Sequence, residues 1–232
     1  MSERVLVVSG GTKGIGRAIV DTFLKEGFSV FTCSRSQSDL DEMKTSDNSG
    51  RLHVFKADLS KKAEVSAFVE FVKSETPTID VLVNNTGIFI PGKISEEEDG
   101  RLEQMMDTNL YSAYHLTRGF VQGMIENKSG DIFNICSIAS INAYPDGGSY
   151  SISKFAMHGM SKGLREELKP HGIRVTAVLP GATYTASWDG VDLPEERFIK
   201  AQDVADAVWS TYQMSRNSVV EDLIIRPQLG DI

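Results

Sequence analysis

The sequence predicts an α/β protein: a doubly wound, parallel sheet of seven strands flanked by helices, in one domain spanning 1–232. Two observations carry that reading. Short apolar runs alternate with longer amphipathic stretches, as repeated βα units require. Most of the runs are near-continuously apolar rather than alternating, which marks strands buried on both faces of a parallel sheet. The length of 232 residues admits one well-filled domain or two small ones. Seven strands with their crossovers use nearly all of it and leave no separate substrate domain.

In chain order the strand candidates are Val5–Ser9, Ser29–Ser34, Leu52–Lys56, Asp80–Asn84, Asp131–Cys136, Ile173–Leu179 and Leu223–Ile225. The helix candidates lie between them. Gly14–Lys25 carries Ile15, Ala18, Ile19, Thr22 and Phe23 at helical spacing, and Lys61–Ser74 follows the start signal Asp58-Leu59-Ser60. Arg101–Glu126 and Ser149–Lys169 are the longest, and Asp203–Met214 is the last. The run Glu96-Glu97-Glu98-Asp99 reads as a solvated helix start, where carboxylates complement the helix dipole.

Composition narrows the function classes. Hydrophobic residues are 41% and charged residues 24%, which excludes disorder, collagen and a disulfide scaffold. A net charge of −8 leaves no basic face for nucleic acid and suits an anionic membrane poorly. No apolar run approaches the length of a spanning helix, and Val5–Val8 is too short for a signal-peptide core. Cys33 and Cys136 form no CxxC and read as reduced thiols of a cytoplasmic protein. The four histidines show no ligand spacing, so no bound metal is expected.

The first strand runs into Ser9-Gly10-Gly11-Thr12-Lys13-Gly14-Ile15-Gly16, which opens the first helix. Glycines let backbone approach a pyrophosphate, and the helix N-terminus offers free N–H groups and a positive dipole end. Such a turn also arises for purely steric reasons. The second strand ends in Cys33-Ser34-Arg35, without the Asp or Glu that accepts a ribose 2′-OH in NAD-preferring proteins. Arg35 and Lys13 instead suit a 2′-phosphate, favouring NADP(H) over NAD. The alternative is a pair of surface cations.

Tyr150 and Lys154 stand one helical turn apart, on one face. Ser137 ends a strand 13 residues before Tyr150, Asn84-Asn85-Thr86-Gly87 follows the fourth strand, and Asn109 lies in a helix. In order and spacing the glycine loop, Asp58, this Asn-Asn turn, Asn109, Ser137, Tyr150, Lys154 and Pro180-Gly181 resemble the short-chain dehydrogenases/reductases along essentially the whole chain. Departures are few: Ser9 stands where Thr is usual, Thr86 where Ala is usual, and Cys136 where Ser is common.

The resemblance implies a Rossmann sheet, a nicotinamide cofactor, and a catalytic tetrad of Asn109, Ser137, Tyr150 and Lys154. Tyr150 would be the acid that protonates a nascent alkoxide. Bringing a phenol from its ordinary pKa near 10 to near 7 takes roughly 4 kcal/mol, the order that one cation at about 4 Å supplies; Lys154 is that cation, assisted by the nicotinamide charge in the oxidised complex. Ser137 would polarise the carbonyl, and Asn109 would hold a water linking Lys154 to solvent. The cofactor set would be Gly10, Thr12, Lys13, Gly14, Ile15, Gly16, Ser34, Arg35, Asp58, Leu59, Asn85, Thr86, Gly87, Tyr150, Lys154, Pro180, Gly181, Thr183 and Thr185. Within it, Asn85 would approach the adenine ribose, Asp58 the adenine edge, and Thr183 and Thr185 the nicotinamide side.

Substrate residues are sought beyond the sixth strand, in a loop of about 182–200, because open α/β sheets bind ligands past their carboxyl ends. Tyr184 and Trp188, with Tyr144, would wall a flat ring; alternatively Trp188 packs a lid. The tail, from Pro180-Gly181 to Gly230-Asp231-Ile232, is similar to that of bacterial sepiapterin reductases, a subgroup of the family. That makes NADPH-dependent reduction of a small carbonyl compound the leading expectation. Reduction of a 3-oxoacyl carrier protein or of diketones is the alternative, and a non-catalytic NADP(H)-binding protein is a third. The family's usual four-helix interface implies a homodimer or homotetramer built on Arg101–Glu126 and Ser149–Lys169.

Overall fold

The computed structural model describes residues 4–185 and 192–231. Its strands are β1 (Val5–Ser9), β2 (Ser29–Ser34), β3 (Leu52–Lys56), β4 (Val81–Asn84), β5 (Gly130–Ile135), β6 (Ile173–Pro180) and β7 (Asp222–Ile225). All neighbours pair in parallel, in the order β3-β2-β1-β4-β5-β6-β7. The chain builds outward from β1 in one direction and then, from β4, in the other. The junction of β1 and β4 is therefore the topological switch point, where such sheets take their ligands.

The helices are α1 (Gly14–Lys25), α2 (Gln37–Ser46), α3 (Lys62–Glu75), α4 (Arg101–Met106), α5 (Ser112–Asn127), α6 (Gly148–Leu168) and α7 (Ala201–Gln213). Alternation along β1 explains why its run is apolar throughout: Val5 and Val7 join one core layer, Leu6 and Val8 the other. The first layer is closed by α3 and α5 through Val65, Phe68, Leu116 and Phe120, and the second by α1 and α7 through Ile19, Phe23, Val204 and Val208. Each such fully buried side chain contributes about 1.5–3 kcal/mol. Phe23, Phe28, Trp209 and Tyr212 lock α1 to α7 with ring centroids 4.9–6.0 Å apart.

Two elements differ from the sequence reading. Helix α2 was not expected, because only Leu40 and Met43 of its ten residues are buried. Its N-cap is Ser36, whose Oγ accepts the Asp39 N–H at 3.2 Å. The long helix expected over Arg101–Glu126 is interrupted by a π-helical turn, Asp107–Tyr111. Such a turn widens the helix by one residue and commonly marks functional sites; here it holds the buried Thr108 and Asn109.

Cys33 and Cys136 are free and buried, and burial pushes their thiols up to about 12 and about 11. Among the described residues, no helix is long and apolar enough to cross a membrane, and no group of three or more His, Cys, Asp or Glu could hold a metal ion.

Candidate active site

A cleft of about 940 Å³ opens over the carboxyl ends of the strands. Its lining joins the turns after β1, β2, β3, β4, β5 and β6. It takes in Gly10, Thr12, Lys13, Gly14, Ile15, Ser34, Arg35, Asp58, Leu59, Asn85, Thr86, Gly87, Pro180, Gly181, Thr183 and Thr185, together with Ser137, Tyr150 and Lys154. Three predicted residues are not in that lining. Gly16 lies beneath the glycine loop, Asn109 lies behind the cleft, and Tyr184 is half exposed and packs on Phe198. Trp188 lies outside the described residues. Among the described residues the aromatic side chains lining the cleft are Tyr144 and Tyr150, both expected there, and Phe89, which was not.

The glycine loop is held by its neighbours. Ser9 Oγ accepts the N–H groups of Asn85 and Thr86 at 2.9 and 3.0 Å. Asn85 Nδ2 donates to the carbonyls of Ser9 and Gly10, both at 2.9 Å. Both amide hydrogens of Asn85 are thus spent on the loop, so its side chain braces the turn while the residue still lines the cleft. Thr32 Oγ1 accepts the Gly11 N–H at 3.0 Å and donates to the Val8 carbonyl at 2.8 Å. A Cβ on Gly16 would sit 2.3 Å from the Gly10 carbonyl oxygen, so α1 can begin this close to the strand only with glycine there. The N-cap of α1, Lys13, makes no side-chain cap bond. The first N–H groups of α1 need partners from outside the helix, which a pyrophosphate supplies.

The end of the site beyond β2 corrects the expectation of two cations without a carboxylate. Lys13 Nζ lies 2.8 Å from Asp39 Oδ2, and Asp39 itself lines the cleft. The Lys13 hydrogen bond holds Asp39 below the ordinary carboxylate range. The signal was in the sequence: Ser36-Gln37-Ser38-Asp39 precedes Leu40 in the S-x-x-D pattern of a helix start. Asp58 adds a second carboxylate. Burial pushes it up, but the Ser60 hydroxyl and amide and nearby Lys61 bring it below its usual range. Arg35 is exposed at this end and also helps hold Asp58 down; among the described residues no carboxylate is hydrogen-bonded to it.

The catalytic end is the drier one: Lys154 and Ser137 are buried and Tyr150 is half-buried. Tyr150 and Lys154 share one face of α6, and Lys154 Nζ donates to the Ile135 carbonyl at 2.8 Å. Burial brings Lys154 down to about 8, with Cys136 acting against it. Burial also pushes Tyr150 well above the ordinary phenol, while the Ser137 hydroxyl pulls the other way. In the chain alone burial is the largest influence on the phenol, and Lys154 Nζ lies 5.8 Å from the Tyr150 ring centroid. Ser137 caps a 3₁₀ turn, its Oγ accepting the Ala139 N–H at 3.1 Å.

Asn109 is fully buried. Its Oδ1 accepts the Ile88 N–H at 2.7 Å, and its Nδ2 donates to the Ile88 carbonyl and to Ser153 Oγ at 3.0 and 2.9 Å. Its side chain clamps the strand-end turn at Gly87–Ile88 and has no amide hydrogen left for a bridging water.

The sequence profile of the short chain dehydrogenases matches residues 4–195. An uncharacterized oxidoreductase of Staphylococcus saprophyticus is 30% identical over 230 residues, 98% of each chain. The uncharacterized oxidoreductase YvrD of Bacillus subtilis is 36% identical over 186 residues, 80% of this chain and 70% of YvrD. A metagenomic short-chain oxidoreductase, solved in complex with NADP, superposes with a TM-score of 0.83 at 29% identity, covering 97% of each chain. The match spans the glycine loop, the Asn85 turn, Ser137, Tyr150 and Lys154, and the chain belongs to the short-chain dehydrogenase family of oxidoreductases.

Proposed function

We propose that the chain is an NADPH-dependent carbonyl reductase. The observation that carries this reading is the meeting of Tyr150, Ser137 and Lys154 in the same cleft as the glycine loop and Arg35. Gly10, Thr12, Ile15 and the start of α1 would hold the pyrophosphate, Arg35 with Lys13 the 2′-phosphate, and Thr183, Thr185 and Lys154 the nicotinamide side. When bound, the reduced nicotinamide supplies the hydride. The metagenomic relative solved with NADP supports the choice of cofactor.

Ser137 donates to the substrate oxygen and holds it beside the Tyr150 hydroxyl. A phenol pushed above its ordinary range is fully protonated at neutral pH, which is the state an acid needs in the reductive direction. Tyr150 gives its proton to the developing alkoxide, a transfer that contributes typically 10²–10⁴-fold, as an order of magnitude. Lys154, at about 8, keeps its charge at neutral pH and stabilises the phenolate left behind.

Phe89, Tyr144 and Tyr150 favour a flat, conjugated ketone of the sepiapterin type. Asp231, which lines the cleft and pairs with Arg226, can accept from an amino group on such a ring. The loop of about 182–200 would complete this side. Tyr111, Tyr114, Ile152 and Phe155 are exposed on the π turn, α5 and α6, a face that supports assembly as a homodimer or homotetramer. The two unpaired thiols suit the cytoplasm.

The test is NADPH oxidation with sepiapterin, diketones and a 3-oxoacyl thioester. Turnover of a cyclic or vicinal diketone supports the reading. Preference for the thioester moves the assignment to acyl-carrier chemistry, and no turnover with any carbonyl overturns it.

A further inference from the structure

We infer that Glu97, in the connection between β4 and α4, is a positioning residue for Tyr150: it supplies from 52 residues upstream the N-terminal cap that α6 does not carry itself. This rests on the reading of Tyr150 as the proton donor.

The first turn of a helix leaves N–H groups that need acceptors. The N-cap of α6 is Gly147, which has no side chain to provide one. Glu97 Oε1 accepts the Ser149 N–H at 2.9 Å, and its Oε2 accepts the Ser149 hydroxyl. Ser149 is buried, and Tyr150 is the next residue. Its two bonds from Ser149 hold the Glu97 carboxyl below the usual range, and a carboxylate at a helix N-terminus also complements the dipole.

The surroundings are shaped to this contact. Gly148 has φ +32°, and a Cβ there would meet Glu97 Oε1 at 2.1 Å and the Gly92 carbonyl oxygen at 2.4 Å. The Gly92 N–H also donates to the Asp146 carbonyl at 2.9 Å. From the same connection, the Phe89 ring packs edge-on against the Tyr150 ring, centroids 4.8 Å apart and planes at 71°. One segment therefore fixes both the backbone before Tyr150 and the ring of Tyr150. In the acidic run Glu96–Asp99 only Glu97 is turned inward; its three neighbours are exposed. Glu96, Glu98 and Asp99 are solvated as the sequence reading has them, but they lie in the turn before Gly100, the N-cap of α4, and not in a helical first turn.

The experiment compares Glu97→Ala and Glu97→Gln with the parent protein. The readouts are backbone hydrogen exchange at residues 148–153 without cofactor, NADPH affinity by titration, and kcat and KM for the best carbonyl substrate. The glutamine amide can still accept the Ser149 N–H and donate to the Ser149 hydroxyl. We expect Glu97→Ala to speed exchange at the Ser149 amide at least about tenfold and lower kcat by about 10–100-fold, as a misplaced reacting group does. NADPH affinity should stay within about twofold, and Glu97→Gln should restore most of both losses. Unchanged exchange at Ser149 in Glu97→Ala overturns the proposal. So does a fall in kcat that glutamine fails to restore, or one matched by an equal loss of NADPH affinity, which marks general unfolding. If the parent protein turns over no carbonyl, the proposed function fails, and the exchange measurement still decides whether Glu97 caps α6.

Discussion

The two ends of the cleft are made by different means. At the cofactor end, backbone does the work: a glycine loop, a helix start, and the braces Ser9, Thr32 and Asn85, with exposed Lys13 and Arg35 at the rim. At the carbonyl end, side chains do it: buried Lys154 and Ser137 and half-buried Tyr150, held by Asn109, Glu97 and Phe89. Charges at the first end are screened by water. Charges at the second are screened less, and burial is the largest cause moving Tyr150 up and Lys154 down. Substitutions should therefore be costly at the dry end, and at the wet end costly only where they touch backbone.

The largest effect expected is at Tyr150. Tyr150→Phe should lower the rate of carbonyl reduction by about 10²–10⁴-fold with NADPH affinity kept; a loss below about tenfold breaks the contrast. Next comes the backbone of the wet end. Gly16→Ala forces a Cβ to 2.3 Å from the Gly10 carbonyl oxygen, and NADPH affinity measured calorimetrically should fall more than about tenfold, since a backbone clash cannot be relieved by a rotamer.

Arg35→Ala should weaken NADPH by about tenfold, the order of one charge-assisted contact, and leave NADH unchanged. The smallest effects belong to the shared cation. Lys13 is already held by Asp39, so Lys13→Ala should cost NADPH only a few-fold, and Asp39→Asn should tighten NADPH by a similar factor. If Lys13→Ala costs more than Arg35→Ala, the pairing seen here does not govern the site.

The dry end also has a stability signature. Lys154 binds its proton less tightly when folded, at about 8 against an ordinary 10.5. Between those values the unfolded chain carries more protons, so stability rises with pH there. The raised Tyr150 acts oppositely, from about pH 10 upward. Denaturant unfolding from pH 8 to 10 should show a steeper gain in the parent protein than in Lys154→Met; equal slopes would show that Lys154 is not desolvated.

How much of this could be read beforehand follows the same division. The wet end was legible because local rules write it: apolar strand runs and the glycine spacing; of the dry end, Tyr150 and Lys154 were legible too, because they stand one helical turn apart. Helix α2 escaped because only Leu40 and Met43 anchor it, although its start signal at Ser36–Asp39 was present. The π turn at Asn109 escaped because a widened turn keeps the apolar pattern of a helix. Glu97 and Phe89 could not be found locally, since their partners lie 52 and 61 residues away in sequence. Burial of the phenol works against the lowering read for Lys154, whose Nζ lies 5.8 Å from the ring centroid; the nicotinamide charge of the oxidised complex is the other half of that reading.

The most direct test of the account is a single turnover with NADPH deuterated at the transferring position of the nicotinamide C4, the best carbonyl substrate, and product analysis by mass spectrometry. One deuterium is expected on the carbinol carbon of the product alcohol in the parent protein, and almost no product in Tyr150→Phe. Alcohol formed without deuterium, or formed equally well without Tyr150, would contradict it.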